Sequence, residues 1–501
     1  MQRERSIVRQ YFFFAFLPIG DFEVQQPIMS KKKNLPLLND IEILDAGAEG
    51  KAIARVDGMV IFVPFVVPGD IVDLQIIKKK KNYAEGRAVT IKKRSDKRVD
   101  PHCPHFGTCG GCKWQTMGYD EQLKAKQQQV RDNLERLGHI DCSNMREICG
   151  SENIYYYRNK LEYTFSTKEW KDLPPSKVDP EPSWGALGFH IPALFDKVLH
   201  IEHCALQQDP SNEIRLFVRN YAIEHHLECY DIRNHTGFLR NLVIRNSSTG
   251  EWMVLLIVAQ DDKNRLFPLL DQIKARFPQI TSLQYIINEK FNDSYTDQDV
   301  VCYHGKDHIM EQMVGYKGEE TLQFKINPKS FYQTNAKQAQ RLYSFVAELA
   351  DLQGEETLYD LYTGTGTIAH FLAKQCKKVV GIEYVEEAIA DARVNASLNG
   401  HENTTFYAGD MAQILTKEFI AQNGHPDIVV TDPPRAGMHE NVVKQLLDTA
   451  PRKIVYVSCN PATQARDVAM LSSQYNIGRI QPVDMFPHTQ HVENVIELIH
   501  K

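Results

Sequence analysis

The sequence predicts an α/β protein built in several parts, and two observations carry that reading. From about residue 326 onward, apolar runs alternate with amphipathic segments, the pattern of a parallel sheet covered on both faces. Between residues 38 and 96, short β-branched runs are separated by Gly, Asp and Pro turns, which suits a small closed or nearly closed β-barrel. The 501 residues are enough for about three domains. The expected division is a disordered extension at 1–37, a barrel at 38–98, a β-rich central domain at 99–325 and an α/β domain at 326–501.

The elements follow in order. Tyr11 to Ile19 is a short aromatic run after Arg3, Arg5 and Arg9 that imitates a signal peptide without a cleavage site. Met29 opens a second plausible start, so residues 1–28 are read as an extension outside the fold. Barrel strands are expected at Ile41 to Leu44, Ala52 to Val56, Met59 to Val63, Ile71 to Ile77 and Gly86 to Lys92. A helix is expected at 118–138, with Leu123, Val130, Leu134 and Leu137 near one face. Residues 150–325 read as irregular β structure with aromatic strands.

In the C-terminal part, strands are expected at Thr357 to Tyr362, Val379 to Glu383, Thr405 to Ala408, Ile428 to Thr431 and Lys453 to Ser458. Helices are expected at 335–352, 367–376, 385–399, 411–422, 439–449 and 461–474. In such sheets ligands bind at the carboxyl ends of the strands.

Charge is unevenly placed. The chain carries a net charge of −6, which argues against wholesale basicity. From Lys78 to Arg98, however, ten basic residues face two acidic ones. A barrel with such a basic face suits single-stranded nucleic acid. The alternative is a solvated face. Nothing approaches the 18 or so apolar residues of a membrane span. The ten cysteines lack an export architecture and point to a reduced, cytoplasmic setting.

Three motifs gather at the predicted strand ends. Asp360-Leu361-Tyr362-Thr363-Gly364-Thr365-Gly366-Thr367 is a turn whose glycines, Gly364 and Gly366, permit sharp bending and close approach of a ligand. Ala369 stands where a dinucleotide fingerprint needs a third small residue. Glu383 ends the next strand, placed for a ribose, and Asp410 the third, placed beside an adenine. Those acids fit S-adenosylmethionine as well as NAD. The downstream chemistry favours the former. Thr431-Asp432-Pro433-Pro434-Arg435 ends one strand, and Cys459 ends another immediately before Asn460-Pro461 and a helix. A thiol at a helix N-terminus is expected to have a lowered pKa. A thiolate added to uracil C6 turns C5 into a nucleophile for a methyl sulfonium, and a base must then remove the C5 proton. Glu493, heading the last strand, is the candidate base.

These stretches, together with Ser330-Phe331-Tyr332-Gln333-Thr334-Asn335, Val380-Gly381-Ile382-Glu383, Ser458-Cys459-Asn460-Pro461 and His491-Val492-Glu493, resemble the RNA 5-methyluridine methyltransferase family. The resemblance covers residues 320–501 in order and spacing. It implies a Rossmann-like S-adenosylmethionine-dependent methyltransferase domain with Cys459 as nucleophile and Glu493 as base. It also implies Gln333, Tyr362, Glu383 and Asp432 as cofactor contacts and Phe331 as a stacking partner for uracil. The family turn usually has Cys where this chain has Thr363.

Upstream, residues 38–96 look like a TRAM domain, an OB-like RNA-binding barrel. Cys103, Cys109 and Cys112 form C-x5-C-x2-C, and Cys204 follows in His203-Cys204-Ala205-Leu206. Ribosomal members of the family hold a [4Fe-4S] cluster with that spacing, although four thiolates also suit zinc. Transfer-RNA members typically lack both barrel and cysteines, so the resemblance implies a monomeric enzyme acting on 23S ribosomal RNA. A tRNA uridine methyltransferase, an RNA 5-methylcytidine enzyme, a non-catalytic RNA-binding or assembly protein and an NAD oxidoreductase are the alternatives. The 5-methylcytidine enzymes place a Cys in the loop occupied here by Asp432 to Arg435.

Overall fold

A computed structural model describes residues 35–171, 184–318 and 320–501. The proposed extension at 1–28 lies outside them. Three sheets of six, eight and seven strands organise the chain, with one separate hairpin.

The C-terminal sheet positions the site. Its strands are β1 (Thr357–Leu361), β2 (Lys378–Glu383), β3 (Thr404–Ala408), β4 (Ile428–Thr431), β5 (Lys453–Ser458), β6 (Tyr475–Val483) and β7 (Glu493–His500). All four residues of β4 and all six of β5 are buried, as expected for parallel strands packed on both faces. The order across the sheet is β3-β2-β1-β4-β5-β7-β6. The first five strands are parallel, and β7 runs antiparallel between β5 and β6. This departs from the 3-2-1-4-5-6 order of a dinucleotide-binding sheet, which argues against the NAD alternative.

Local chemistry sets the helix limits. Asn460 caps Pro461–Leu471 by accepting the Ala462 N–H, and Pro461 occupies the first turn. The expected helix 411–422 is two helices, Met411–Ile414 and Lys417–Asn423. Thr416 interrupts it, because its hydroxyl caps the second helix through the Phe419 N–H.

The barrel sheet comprises Leu37–Glu42, Asp45–Ala46, Ala52–Val56, Met59–Val63, Ile71–Lys79 and Tyr83–Lys93. Its core is Ile43, Ala54, Ile61, Val63, Val72 and Leu74, all 2% exposed or less. Part of the basic run serves the fold. Arg98 forms an ion pair with fully buried Asp70, Lys92 reaches Asp40 and Asp73, and Lys78 pairs with Glu85. Lys79, Lys80 and Lys81 are exposed at the tip between the last two strands.

The central sheet is less irregular than the sequence suggests. It is largely antiparallel, with two parallel pairs, of which Trp252–Val258 and Ile280–Ile287 are joined through helix Lys263–Arg276. A second helix, Ser211–Glu224, turns Ile214, Val218 and Ala222 into the same core. The helix expected at 118–138 is present as Tyr119–Gly138, but it lies on the C-terminal sheet: Val130 and Leu134 pack in one core with Ile454, Tyr456, Ala465 and Val468. No helix among the described residues is long and apolar enough to cross a membrane.

Candidate active site

The parallel strands bring their carboxyl ends to one edge. Register aligns Leu361 with both Ile382 and Thr431, Glu383 with Ala408, and Thr431 with Tyr456. Tyr362, Glu383, Asp410, Asp432 and Cys459 therefore emerge at or just past the same edge. β1 and β4 are neighbours there, at the switch point where the sheet order reverses. Because β7 is antiparallel, its first residue arrives where β5 ends. Ser458 pairs with Asn494, so the next step along both strands sets Cys459 against Glu493.

The cofactor turn divides its two glycines. Gly364 has φ 55°, and a Cβ there would meet nothing within 4 Å, so this glycine faces open space. Gly366 has φ 80°, and its Cβ would stand 2.9 Å from His370 Nε2, so it serves helix packing. Tyr362 also adopts positive φ, at 64°. Glu383 accepts the Gly364 N–H at 3.2 Å and the Val385 N–H at 3.0 Å, joining the turn to the second strand. Asp410 is exposed and accepts the Ala412 N–H at 2.9 Å as a helix cap. Gln333 lies on the adjoining loop, where its backbone carbonyl accepts from Asn159. Phe331, two residues earlier, is 70% exposed.

Asp360, a residue to which the sequence reading gave no role, lies beneath the turn. One carboxylate oxygen accepts from the Thr363 hydroxyl at 2.5 Å and the Ala369 N–H at 3.1 Å; the other is buried without a partner. Burial pushes this carboxyl up to about 7. Its signal in the sequence is an acid inside the apolar run of β1. An open glycine cradle beside unneutralised buried acids fits a cationic, nucleoside-bearing ligand such as S-adenosylmethionine.

The reactive end gathers Cys459, Glu493, Asp432 and Arg435. Burial, and after it the neighbouring Asp432, raise the Glu493 carboxyl to about 8, with Arg435 opposing both. Asp432 is itself raised by burial and by Asp360. The expected lowered thiol pKa is corrected here: the Cys459 thiol is pushed up to about 11. Burial is the main cause, followed by Glu493 and Asp432, whereas a hydrogen bond and charge from Arg435 act the other way. The helix that follows gives little help. Pro461 has no N–H, and the Ala462 N–H is already taken by Asn460. Arg435, visible in the sequence only as part of a turn, thus supplies the cation that favours the thiolate.

A latch holds this edge in place. Buried Lys126 meets buried Asp484 at 2.6 Å, and Tyr119 donates to the same carboxylate at 2.9 Å. Asn335 donates to the Met485 carbonyl, and Tyr157 to that of Pro487. The Lys113 and Trp114 N–H groups both donate to the His488 carbonyl, while the Trp114 indole reaches Gly50 of the barrel. All three parts of the chain therefore meet within nine residues of Glu493.

The four cysteines lie elsewhere. Cys103, Cys109, Cys112 and Cys204 line one cavity of about 730 Å³, beside Lys113 and Arg158. All are free thiols. Burial raises each of them, Cys109 to about 12 and Cys204 to about 11. The Gly111 N–H donates to the Cys109 sulfur at 3.4 Å. Among the described residues, no group of three or more His, Cys, Asp or Glu is arranged to hold a metal ion. The sequence thus anticipates the convergence, and the structure shows no closed coordination site.

Comparison with known proteins agrees with this geometry. Residues 298–501 match the tRNA (uracil-5-)-methyltransferase family, and residues 39–89 match the TRAM domain. An uncharacterized RNA methyltransferase of Bacteroides thetaiotaomicron is 55% identical over 455 residues, covering 90% of this chain and 99% of the relative. Another, of Porphyromonas gingivalis, is 54% identical over 470 residues, covering 92% and 99%. The chain belongs to the RNA uracil-5-methyltransferase family. A solved structure, Pyrococcus abyssi tRNA (uracil-54, C5)-methyltransferase in complex with S-adenosyl-L-homocysteine, is 29% identical, with a TM-score of 0.71 and coverage of 92% of this chain and 100% of that one. The glycine cradle thus belongs to an S-adenosylmethionine-dependent RNA methyltransferase, with a TRAM barrel at its N-terminal side.

Proposed function

We propose that this methyltransferase modifies C5 of a uridine in 23S ribosomal RNA, acting as a monomer through a covalent adduct at Cys459. The observation that carries the mechanism is the facing of Cys459 and Glu493 across β5 and β7, with Asp432 and Arg435 beside them. Arg435 favours the thiolate. The thiolate adds to uracil C6, and the electron pair of the C5–C6 bond moves towards O4 and C5. When bound, S-adenosylmethionine would supply an electrophilic methyl on sulfur, which C5 takes as the sulfur–methyl bond breaks and S-adenosylhomocysteine is left. Glu493 then takes the C5 proton, the C5–C6 double bond re-forms and the thiolate leaves. Gln333, Tyr362, Gly364, Gly366, Glu383, Asp410 and Asp432 are the proposed cofactor contacts, and exposed Phe331 stacks on the target base.

The cysteine cavity suits a [4Fe-4S] cluster. Four thiols converge on it, one already accepting a backbone N–H, with two cationic residues on its wall. Four thiolates also suit zinc, with each sulfur about 2.3 Å from a single ion, so metal analysis separates the two. A cluster here would organise the loop that carries Lys113 and Trp114 to the latch, away from the reacting atoms.

A tRNA substrate is the second reading, favoured by the structural likeness to the Pyrococcus abyssi tRNA (uracil-54, C5)-methyltransferase. Unmodified 23S and transfer RNA assayed with labelled methyl donor separate the two. Cys459→Ala should lower methyl transfer at least about 10⁴-fold while leaving cofactor binding intact. RNA containing 5-fluorouridine should trap a covalent adduct on the unsubstituted protein. Turnover by the alanine variant would overturn the mechanism.

A further inference from the structure

Two aromatic side chains on the central domain remain in water with a built support beneath them. Phe195 is 62% exposed and Phe291 is 71% exposed. The Arg233 guanidinium lies 5.0 Å from the Phe195 ring, and the His235 ring lies 4.4 Å from that of Phe291 at 31°. Each ring thus has a companion while much of its surface stays open.

The support is a nearly fully buried arginine. Arg240 is 1% exposed, and its guanidinium donates to the carbonyls of Asn288, Lys290 and Asn292 and to the Asp293 carboxylate. It also lies 4.1 Å over Tyr230, whose hydroxyl is 3.2 Å from His235. One guanidinium therefore fixes both loops, the one that displays Phe291 and the one that displays His235. Arg233 is held by Asp196 at 2.7 Å. Such anchoring is more than a solvated loop requires.

The surroundings indicate the partner. Several nearby acids are engaged: Asp196 with Arg233 and Lys168, Asp293 with Arg240, Asp297 with Lys290, and Asp231 with backbone N–H groups of its own turn. Arg233, Phe195 and Phe291 lie on the outward face, with the exposed Glu289 on the same loop as Phe291. The Phe291 loop also continues towards the proposed target site, because Lys329 donates to the Thr296 and Gln298 carbonyls two residues before Phe331. A ring with an open face beside an arginine suits an unpaired nucleobase.

We propose that Phe195 with Arg233, and Phe291 with His235, form a second stacking platform that holds unpaired bases of the RNA outside the target uridine. This rests on the RNA-uridine reading above. The test uses the full chain and an unstructured uridine-containing RNA oligonucleotide. The Phe195→Ala/Phe291→Ala variant should bind it at least about fivefold more weakly, the effect of losing one stacked base. The salt dependence should keep its slope, because no phosphate contact is removed. Methyl transfer at saturating RNA should be unchanged. Phe291→Trp should retain affinity, and its fluorescence should be quenched by the RNA, a readout that general misfolding would not produce. If the unsubstituted protein binds and methylates RNA while the double variant binds equally well and the tryptophan is not quenched, the platform is overturned and the patch is left to a protein partner. If the unsubstituted protein neither binds nor methylates RNA, both readings fall.

Discussion

The catalytic edge and the cysteine cavity both gather ionisable groups under conditions that keep them uncharged. At the edge, carboxyls and a thiol are raised by burial and by one another. In the cavity, four thiols are raised by burial. The difference lies in what surrounds them. The edge is already assembled, with Cys459 opposite Glu493 and Arg435 in place. The cavity has its donors on its walls, and among the described residues no group of three or more is arranged to hold a metal ion. The first awaits cationic and planar substrates that come and go; the second suits a resident centre.

The largest expected break falls on the edge. Glu493→Gln should slow turnover by about 10²–10⁴-fold and let a covalent RNA–protein species accumulate, seen as a shifted band on a denaturing gel. Loss of RNA binding without any adduct would make Glu493 structural. The cavity is tested next. Anaerobically purified protein should contain roughly four irons per chain, and Cys109→Ser should remove them along with the brown colour. Stoichiometric zinc without iron would erase the distinction between the two regions.

Acidity gives a subtler test. The folded protein raises Asp360 and Glu493 from 3.8 and 4.5 to about 7 and 8. Acids raised in this way stabilise the fold fully below their unfolded values, and that stability is lost as pH rises through the folded values. The ligand-free melting temperature should therefore fall between about pH 5 and 8 relative to Asp432→Asn, which removes one of the mutually raising acids. S-adenosylmethionine should recover more stability at the alkaline end than the neutral S-adenosylhomocysteine. Equal recovery by both would mean that the sulfonium does not face these acids. The smallest effect concerns the barrel. Lys79, Lys80 and Lys81 changed together to Ala should flatten the salt dependence of RNA binding by about 0.7 to 0.9 per lost phosphate contact. Lys78 should contribute less, because Glu85 already engages it.

Much of the edge was legible in the sequence because parallel strands deliver their carboxyl ends to one place. The acids, the glycines and the thiol could be assigned to strand ends without knowing the sheet order. What could not be read was the pairing of β5 with β7, which brings Glu493 to Cys459. The thiol's acidity was misjudged for the same reason: a helix N-terminus is a local feature, whereas the burial that chiefly raises the thiol, and Glu493 and Asp432 after it, come from distant parts of the chain. In the central domain two helices were missed. Leu266, Leu269, Leu270 and Ile273 carry a helical period, but Pro268 interrupts it, and Ser211–Glu224 follows Pro210 without a side-chain cap. The resemblance implied the four cysteines as cluster ligands; they line one cavity, but among the described residues no group is arranged to hold a metal ion, because their mutual geometry depends on folding and not on spacing.

Helix Tyr119–Gly138 has a consequence for recombining this protein with its relatives. The family match begins at residue 298, and every proposed catalytic and S-adenosylmethionine-contacting residue lies beyond it. The physical module is discontinuous. A transplanted segment 298–501 would leave behind Lys126, the buried partner of Asp484, and would uncover the surface now filled by Val130 and Leu134. Chimeras that exchange the helix together with the C-terminal sheet respect the unit that packs; those cut at the family boundary divide a core.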